Sequence, residues 1–255
     1  GRGEGRGRGG GRGGKREGRK TGRERTERVR TQMTIDIEEQ GRSTEARAIL
    51  YYRRPDALRI DVLSPLSAPI AVLRAAAGEF SLVDITHGEA IRAPLTDALL
   101  KRLYGMDLRV SDVRSAIVAN PFAVGDNSRI KVGAADDRIV VTRPSDRIGH
   151  TEEITIRHVT GEPVVEEWWV GARDGVTVQR TTFEDYREVG GILRPMTATV
   201  ARPRDGVRLS FRAANPELNM DIADSSFQHR FPPGVEVKRW DEHGQPVDAP
   251  RASED

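Results

Sequence analysis

The sequence predicts a mainly β (α+β) protein: an antiparallel meander curling toward a barrel or half-barrel, with two short helices inserted near its middle. Three observations carry this expectation. Apolar and polar residues alternate over short runs between residues 28 and 85 and again between 129 and 213, which is the period of half-buried strands. Turn clusters punctuate those runs, including two Asp-Gly pairs, Asp174-Gly175 and Asp205-Gly206. Apolar residues take up helical spacing only between 95 and 119.

In chain order, residues 28–38 and 45–54 read as strands separated by the turn cluster Gln40-Gly41-Arg42-Ser43. Leu58, Ile60 and Val62 alternate with Arg59 and Asp61, giving a third strand with one solvated face. It stops at Ser64-Pro65-Leu66-Ser67-Ala68-Pro69, where two prolines oppose ladder and helix alike. Residues 70–75 and 79–85, joined through Gly78, form the next hairpin, and a short extended piece, 90–93, follows Gly88. After Pro94 the period changes. Leu95, Leu99, Leu100 and Leu103 define a helix that Thr96 or Asp97 can cap and Gly105 can stop. A second helix is expected over 112–119, capped by Ser111 and ended by Asn120-Pro121. Short amphipathic helices in a strand-rich chain must lay their apolar faces on a sheet. Strands return at 129–132, 138–143, 152–158, 164–170, 176–184, 192–201 and 207–213.

Charge divides the chain more sharply than its overall value of +2 suggests. The first thirty residues hold 12 Lys or Arg, four Glu and 11 Gly, and their one apolar residue is Val29. That segment carries +8 and leaves −6 for the remainder, so the basic character belongs to the tail and not to the folded body. Such a composition buries too little to offset the entropy of ordering, and residues 1–27 are expected to be disordered. The domain proper is expected over 28–240, followed by a flexible, polar C-terminus at 241–255. The tail reads first as a solvated linker. A charge contact of residues 1–27 with a polyanion, whether RNA, DNA or an anionic membrane surface, is the alternative, although no Phe or Tyr interleaves the arginines for base stacking. No run approaches the ~20 apolar residues that cross a bilayer as a helix. Cysteine is absent, which removes disulfides, thiolate metal sites and thiol nucleophiles. The chain opens on Gly and shows no signal-peptide pattern, so a processed, trimmed or engineered form is expected.

Catalytic and metal-binding patterns are missing. The histidines, at 87, 150, 158, 229 and 243, form no helical pair, and His150 with Glu152 or His87 with Glu89 supplies two ligands without a third nearby. Adjacent carboxylates such as Asp136/Asp137 and Glu166/Glu167 would point to opposite faces of a strand and cannot share a proton. No nucleophile elbow or phosphate-cradling loop occurs. A non-enzyme without metal or cofactor is therefore expected.

One stretch is more specific. Pro55-Asp56-Ala57-Leu58-Arg59-Ile60-Asp61-Val62-Leu63-Ser64-Pro65-Leu66 leads through Ile70-Ala71-Val72-Leu73 and Phe80-Ser81-Leu82-Val83-Asp84 to Leu99-Leu100-Lys101-Arg102-Leu103-Tyr104-Gly105-Met106-Asp107-Leu108 and a second short helix. With the closing Phe227 and Phe231-Pro232-Pro233-Gly234-Val235, it resembles the LolB-type outer-membrane lipoprotein receptors and related LolA/LolB-like lipoproteins. The resemblance implies an incomplete antiparallel β-barrel whose concave face is covered by the short helices and accepts acyl chains of lipoproteins or other lipids. It also implies a place in the periplasm or on the periplasmic face of the outer membrane of a Gram-negative-type cell, with that membrane's inner leaflet and a periplasmic lipoprotein chaperone as partners. On this reading Pro65 and Leu66 form a loop that passes cargo to the membrane. A Leu held on a proline-rigid loop can enter lipid with a stabilisation of about 1.5–3 kcal/mol. Strand parity and helix faces nominate Leu50, Tyr52, Leu58, Ile60, Val62, Ile70, Val72, Leu82, Leu99, Leu103, Ile117, Trp168 and Phe211 as cavity residues. The lipid-bearing N-terminal Cys of the family has no counterpart here, and the Gly/Arg tail stands in its place. The competing expectations are an RGG-tailed nucleic-acid-binding protein and a β-barrel enzyme with a small-molecule pocket.

Overall fold

The computed structural model describes residues 26–105, 109–123 and 127–247. Most of the tail assigned to disorder, residues 1–25, lies outside this range, as do Met106-Asp107-Leu108 and the chain from 248 onward.

All fourteen strands among the described residues belong to one sheet. The first six, β1 (Arg28–Glu39), β2 (Arg42–Arg53), β3 (Ala57–Leu63), β4 (Pro69–Ala76), β5 (Glu79–Asp84) and β6 (Glu89–Pro94), form one meander. The next seven, β7 (Lys131–Ala135), β8 (Arg138–Pro144), β9 (His150–Val159), β10 (Glu162–Ala172), β11 (Thr177–Val189), β12 (Ile192–Arg202) and β13 (Val207–Leu218), form a second. The single meander expected from sequence is thus two. They are sewn together by β1, which pairs with β2 on one side and antiparallel with β13 on the other, setting Ile35 opposite Phe211 and Ile37 opposite Leu209. A last strand, β14 (Glu236–Arg239), adds parallel to β6. The two outer strands, β14 and β7, are not paired with each other, so the barrel is incomplete.

Local sequence explains the hairpins. Gln40-Gly41, Ala77-Gly78, Thr160-Gly161 and Gly190-Gly191 each put two successive residues at positive φ between paired strand ends. This is the backbone of a two-residue type I′ turn, whose twist matches that of the strands. The Asp-Gly pairs, by contrast, sit in longer connections, where Asp174 accepts from the Val176 amide at 3.1 Å and Gly206 closes a 3-10 turn at Pro203–Asp205. Pro69 is tolerated as the first residue of β4, where a register shift against β3 removes the need for its missing N–H.

The helices follow from this topology. The chain leaves β6 near one edge of the sheet and enters β7 at the other, so the connection must traverse the face between them. That crossing carries α1 (Asp97–Tyr104) and α2 (Val110–Val118). Thr96 caps α1 by accepting from the Leu99 amide at 3.1 Å, and Gly105 ends it in the left-handed conformation. The start of α2 differs from expectation. Ser111 lies inside the first turn, and the N-cap is Arg109, whose amide donates to the Asp112 carboxylate at 3.3 Å. Arg147, on the β8–β9 connection, donates to the same Asp112 oxygen at 3.1 Å. Asp97 of α1 accepts from the Val110 amide at 3.0 Å, tying the helices to each other.

The core is correspondingly divided. Ile117 of α2 packs on Met33, Ala48 and Leu50, and Ala116 packs on Val200, Val207 and Leu209. Leu99 and Leu103 of α1 pack on Phe80 and Ala93. Trp168, Ile154, Val141 and Phe183 fill the half formed by β8–β12. There Arg143 and Glu152, both fully buried, pair at 2.7 Å. The C-terminal segment contributes on the outer face, where Ile222 and Phe227 cover Ala57. Residues 241–247 fold back, Trp240 bridges to Pro246, and Asp241 accepts from the His243 and Gln245 amides at 2.9 and 2.8 Å.

The outer-face segment is fastened by a histidine. His229 Nδ1 meets Ser81 Oγ at 2.8 Å, its Nε2 is buried without a partner, and Arg92 and Arg74 lie close enough, with Glu79, to act on its charge. Burial, reinforced by those arginines, pushes its pKa below the ordinary histidine value. The unfolded chain therefore binds the proton more readily, so the histidine's contribution to stability is complete above about pH 6.5 and is lost as pH falls through the folded-state pKa. Backbone hydrogen exchange of residues 219–235 should accordingly rise, after correction for intrinsic rates, between about pH 7.5 and about pH 5.5. A His229→Gln variant should flatten that dependence; an identical pH profile in wild type and variant would remove His229 from the account.

Candidate functional site

Between the two helices and the concave face lies a cavity of about 370 Å³. Its floor is a cross-strand row, Ile60 of β3 beside Leu73 of β4 beside Leu82 of β5, followed by a parallel row, Leu58 beside Ala75 beside Phe80. Ile35, Ile37, Leu209 and Phe211, from the β1–β13 seam, form one wall. Leu95 and Leu100 of the α1 segment and Val110, Val113 and Arg114 of α2 form the cover. Two of the lining side chains are charged, Asp56 and Arg114. The strand β3 shows what this does to burial. Its cavity-facing Leu58, Ile60 and Val62 are only half-buried, whereas Ala57 and Asp61 on its outer face are buried, Ala57 beneath Ile222 and Phe227 and Asp61 paired with Arg59.

Of the thirteen residues nominated from sequence, Leu58, Ile60, Val62, Leu82 and Phe211 line the cavity. Leu50 shares that face but is sealed beneath Ile117, both in one packed cluster, and Tyr52 is buried two residues further along β2. Leu99 and Leu103 turn onto the sheet, while Leu95 and Leu100 face the space. Trp168 belongs to the packed half under β8–β12. Ile70 and Val72 face the opposite way, because Ala75 and Leu73 hold the inward parity of β4. The strand reads Pro-Ile-Ala-Val-Leu-Arg-Ala-Ala, apolar on both sides, so alternation could not settle which face is inner. Ile35 and Ile37 were not nominated, although Met33-Thr34-Ile35-Asp36-Ile37 alternates cleanly and contained the signal.

At the β3–β4 turn Leu66 is 92% exposed. The turn is held rather than loose: Arg47 donates to the carbonyls of Ser64 and Pro65 at 3.0 and 2.6 Å, and the Ser67 amide donates to Ser64 O at 2.9 Å. The exposed Ile70 and Ile85, joined by a backbone bond at 2.9 Å, extend this apolar corner.

The metal candidates do not assemble. Glu152 is consumed by Arg143 and Ser145, His150 Nδ1 meets Ile148 O at 3.1 Å, and His87 pairs with Asp84 at 2.7 Å. Among the described residues no group of three His, Asp or Glu side chains could hold an ion. No helix among them is long and apolar enough to cross a membrane.

An open, strongly curved sheet with helices laid over an apolar hollow defines a class of fold, and solved structures share it. The chain is similar to a DUF1329 family protein from Desulfovibrio piger, with a TM-score of 0.60 and 12% identity over 81% of this chain and 92% of that one. It is also similar to a domain named for outer membrane lipoprotein sorting from Vibrio parahaemolyticus, with a TM-score of 0.56 and 11% identity over 79% and 89% of the two chains. A LolA superfamily protein from Nitrosomonas europaea gives a TM-score of 0.54 and 12% identity over 80% and 90%. No family model matches the sequence, and no curated protein is detectably similar to it. The shared property is thus the LolA-like fold.

Proposed function

We propose that this protein is a non-enzymatic carrier or receptor for acyl chains of lipids or lipoproteins in a bacterial envelope, acting on the periplasmic side of an outer membrane. The observation that carries the proposal is the hollow itself: about 370 Å³ bounded almost wholly by aliphatic and aromatic side chains. A volume of that order lies within the ~300–1,000 Å³ of small-molecule sites, and its lining suits hydrocarbon better than a polar substrate. The outer membrane lipoprotein sorting named for the Vibrio parahaemolyticus domain agrees with this reading. The finer LolB-type assignment rests on Leu66, which stands where that family carries its membrane-entering Leu and is held there by Arg47.

The test is transfer of a triacylated lipopeptide from the protein to outer-membrane-like vesicles. Leu66→Glu should slow transfer at least tenfold, since about 1.5–3 kcal/mol of Leu burial is replaced by a charge that resists entering lipid. Uptake of the lipopeptide should change little, because Leu66 does not line the cavity. Unimpaired transfer would remove Leu66 from the mechanism, and failure of the wild type to take up any acylated cargo would overturn the carrier reading.

A further inference from the structure

The strand pairings gather the turns at two ends of the sheet. The β1–β2, β3–β4, β5–β6, β8–β9, β10–β11 and β12–β13 connections fall at one end, and residues 54–56, 77–78, 136–137, 160–161 and 190–191 turn at the other. Eight large apolar side chains are exposed among the described residues, and five stand at the first end: Leu66 and Ile70 at β3–β4, Ile85 at β5–β6, Ile148 at β8–β9 and Val176 at β10–β11. The other three lie on the outer strands β7 and β14 and at Val247, so no turn of the second end carries one. Single exposed aliphatics are ordinary, but their concentration at one end is not. Ile148, 96% exposed, belongs to the second meander, whereas Leu66 belongs to the first.

Its turn is constrained. The Ser145 amide donates to His150 O at 3.0 Å and the His150 amide to Arg147 O at 3.1 Å, Arg109 pairs with Asp146, and Arg147 donates to Asp112 at 3.1 Å. The fold thus presents Ile148 to its surroundings instead of letting it collapse onto the sheet. Charge indicates which surroundings. On the turns that bear the five apolar side chains every carboxylate has a partner: Asp146 has Arg109, Asp174 has Arg204 at 3.4 Å, Asp84 has His87 at 2.7 Å and Glu89 has Lys238 at 3.0 Å. The exposed Arg173 makes no ion pair among the described residues and lies against the Ile148 turn, its Nε 3.1 Å from where a Cβ on Gly149 would stand. Separate aliphatic tips, neutralised carboxylates and a free guanidinium match a bilayer surface, which is fluid enough to receive scattered side chains and offers phosphate to a cation. A protein partner of ordinary size needs a contiguous, shape-matched patch, which tips on separate turns do not supply.

We propose that the Ile148 turn is a second point of entry into the lipid bilayer, acting with the Leu66 turn to seat this end of the sheet on a membrane. The inference rests on the carrier reading, which supplies the membrane, and goes beyond it by assigning a surface on the second meander. Seven inter-strand steps of about 4.8 Å separate β3 from β9, so the two tips stand up to roughly 34 Å apart along the arc of the sheet. Two contacts so spaced fix the tilt of the protein on the bilayer, which one contact leaves free. The hollow is also concerned: its lining along β3 reaches Val62, two residues short of Ser64, and its cover α2 is tied through Arg109 and Asp112 to the Ile148 turn. A bilayer that holds Ile148 therefore holds the start of α2.

Because the chain has no cysteine, Ile148→Cys, Leu66→Cys and, at the opposite end, Glu188→Cys can each carry one polarity-sensitive label. The labelled full-length proteins are mixed with phosphatidylethanolamine–phosphatidylglycerol vesicles in high salt, which screens any charge contact of the Gly/Arg tail. Labels at 148 and 66 should brighten and lose their quenching by aqueous iodide, and the label at 188 should keep it. Ile148→Glu, without a label, should bind the vesicles about tenfold or more weakly and slow lipopeptide transfer, with uptake unchanged. Its thermal melting shows that it is folded, since Ile148 packs on nothing. A label at 148 that stays open to iodide while the one at 66 is shielded would overturn the proposal and leave the Leu66 contact standing, as would wild-type vesicle binding by Ile148→Glu. Shielding at 148 that grows with protein concentration in the absence of vesicles would overturn it in favour of a second copy of the chain. If neither 148 nor 66 is shielded, the seat on the membrane fails altogether, and uptake of the lipopeptide judges the hollow separately.

Discussion

Glu152→Ala should destabilise the protein by about 3–5 kcal/mol, because it leaves a buried arginine without its counter-charge. Arg143 and Glu152 are both inaccessible to solvent and are joined by two bonds, at 2.9 and 2.7 Å. The pair is fully committed elsewhere too. Ser145 donates to the second carboxylate oxygen at 2.8 Å, and Arg143 donates to the Pro121 carbonyl at 2.8 Å and contacts Asn127. These last two contacts lie on the segment that follows α2, so the pair fixes the exit of the helical cover onto β8 and β9. A charge pair of this kind adds little relative to an apolar pair of the same shape, whereas halving it is expensive. Arg143→Met combined with Glu152→Leu should therefore recover most of the loss. Denaturant unfolding of the three variants decides the point: a Glu152→Ala midpoint within error of the wild type would show that water or rearrangement already compensates Arg143. The single variant should also weaken acyl binding, since the cover of the cavity is fastened at that end.

How much of this was legible in the sequence follows from where the signals are local. Turn chemistry and period placed nearly every strand and both helices, because Gln40-Gly41, Gly78 and the Leu95–Leu103 spacing act within a few residues. The cap of α2 escaped, since the Asp112 oxygen that accepts from the Arg109 amide is shared with Arg147, thirty-five positions away. The double pairing of β1 escaped as well. Nothing in Arg28–Glu39 says that its second neighbour is β13 rather than a barrel-closing edge. The cavity was half legible for a different reason. Apolar residues that face a hollow and apolar residues that face a neighbour look the same in sequence, and β4, apolar on both faces, concealed which was which. Burial of Ala57 on the outer face depends on Ile222 and Phe227, more than a hundred and fifty residues later, beyond any local pattern.

Val62→Trp should abolish acyl binding, lowering affinity by at least tenfold, while leaving the folding free energy unchanged or slightly raised. The two halves of this expectation come from one geometry. Val62 lines the hollow but belongs to none of the packed clusters, and its neighbours across the strands are the small Ala48 and Ala71. An indole there meets empty space first, so it occupies volume that a hydrocarbon chain would use and gains dispersion contacts that valine lacks. Filling a void recovers stability at about 24 cal/mol per Å³ of cavity removed, whereas forcing the same ring into a close-packed core typically costs about 1–3 kcal/mol. Stability thus separates the two readings of every residue nominated for this site, as a packed core residue or as the wall of a binding hollow. Denaturant midpoint and dye-displacement affinity, measured on the same preparation, give the answer. A variant destabilised by more than about 1 kcal/mol would place Val62 in filled core, and a stable variant that still binds its acyl chain with wild-type affinity would place the ligand elsewhere than under α1 and α2.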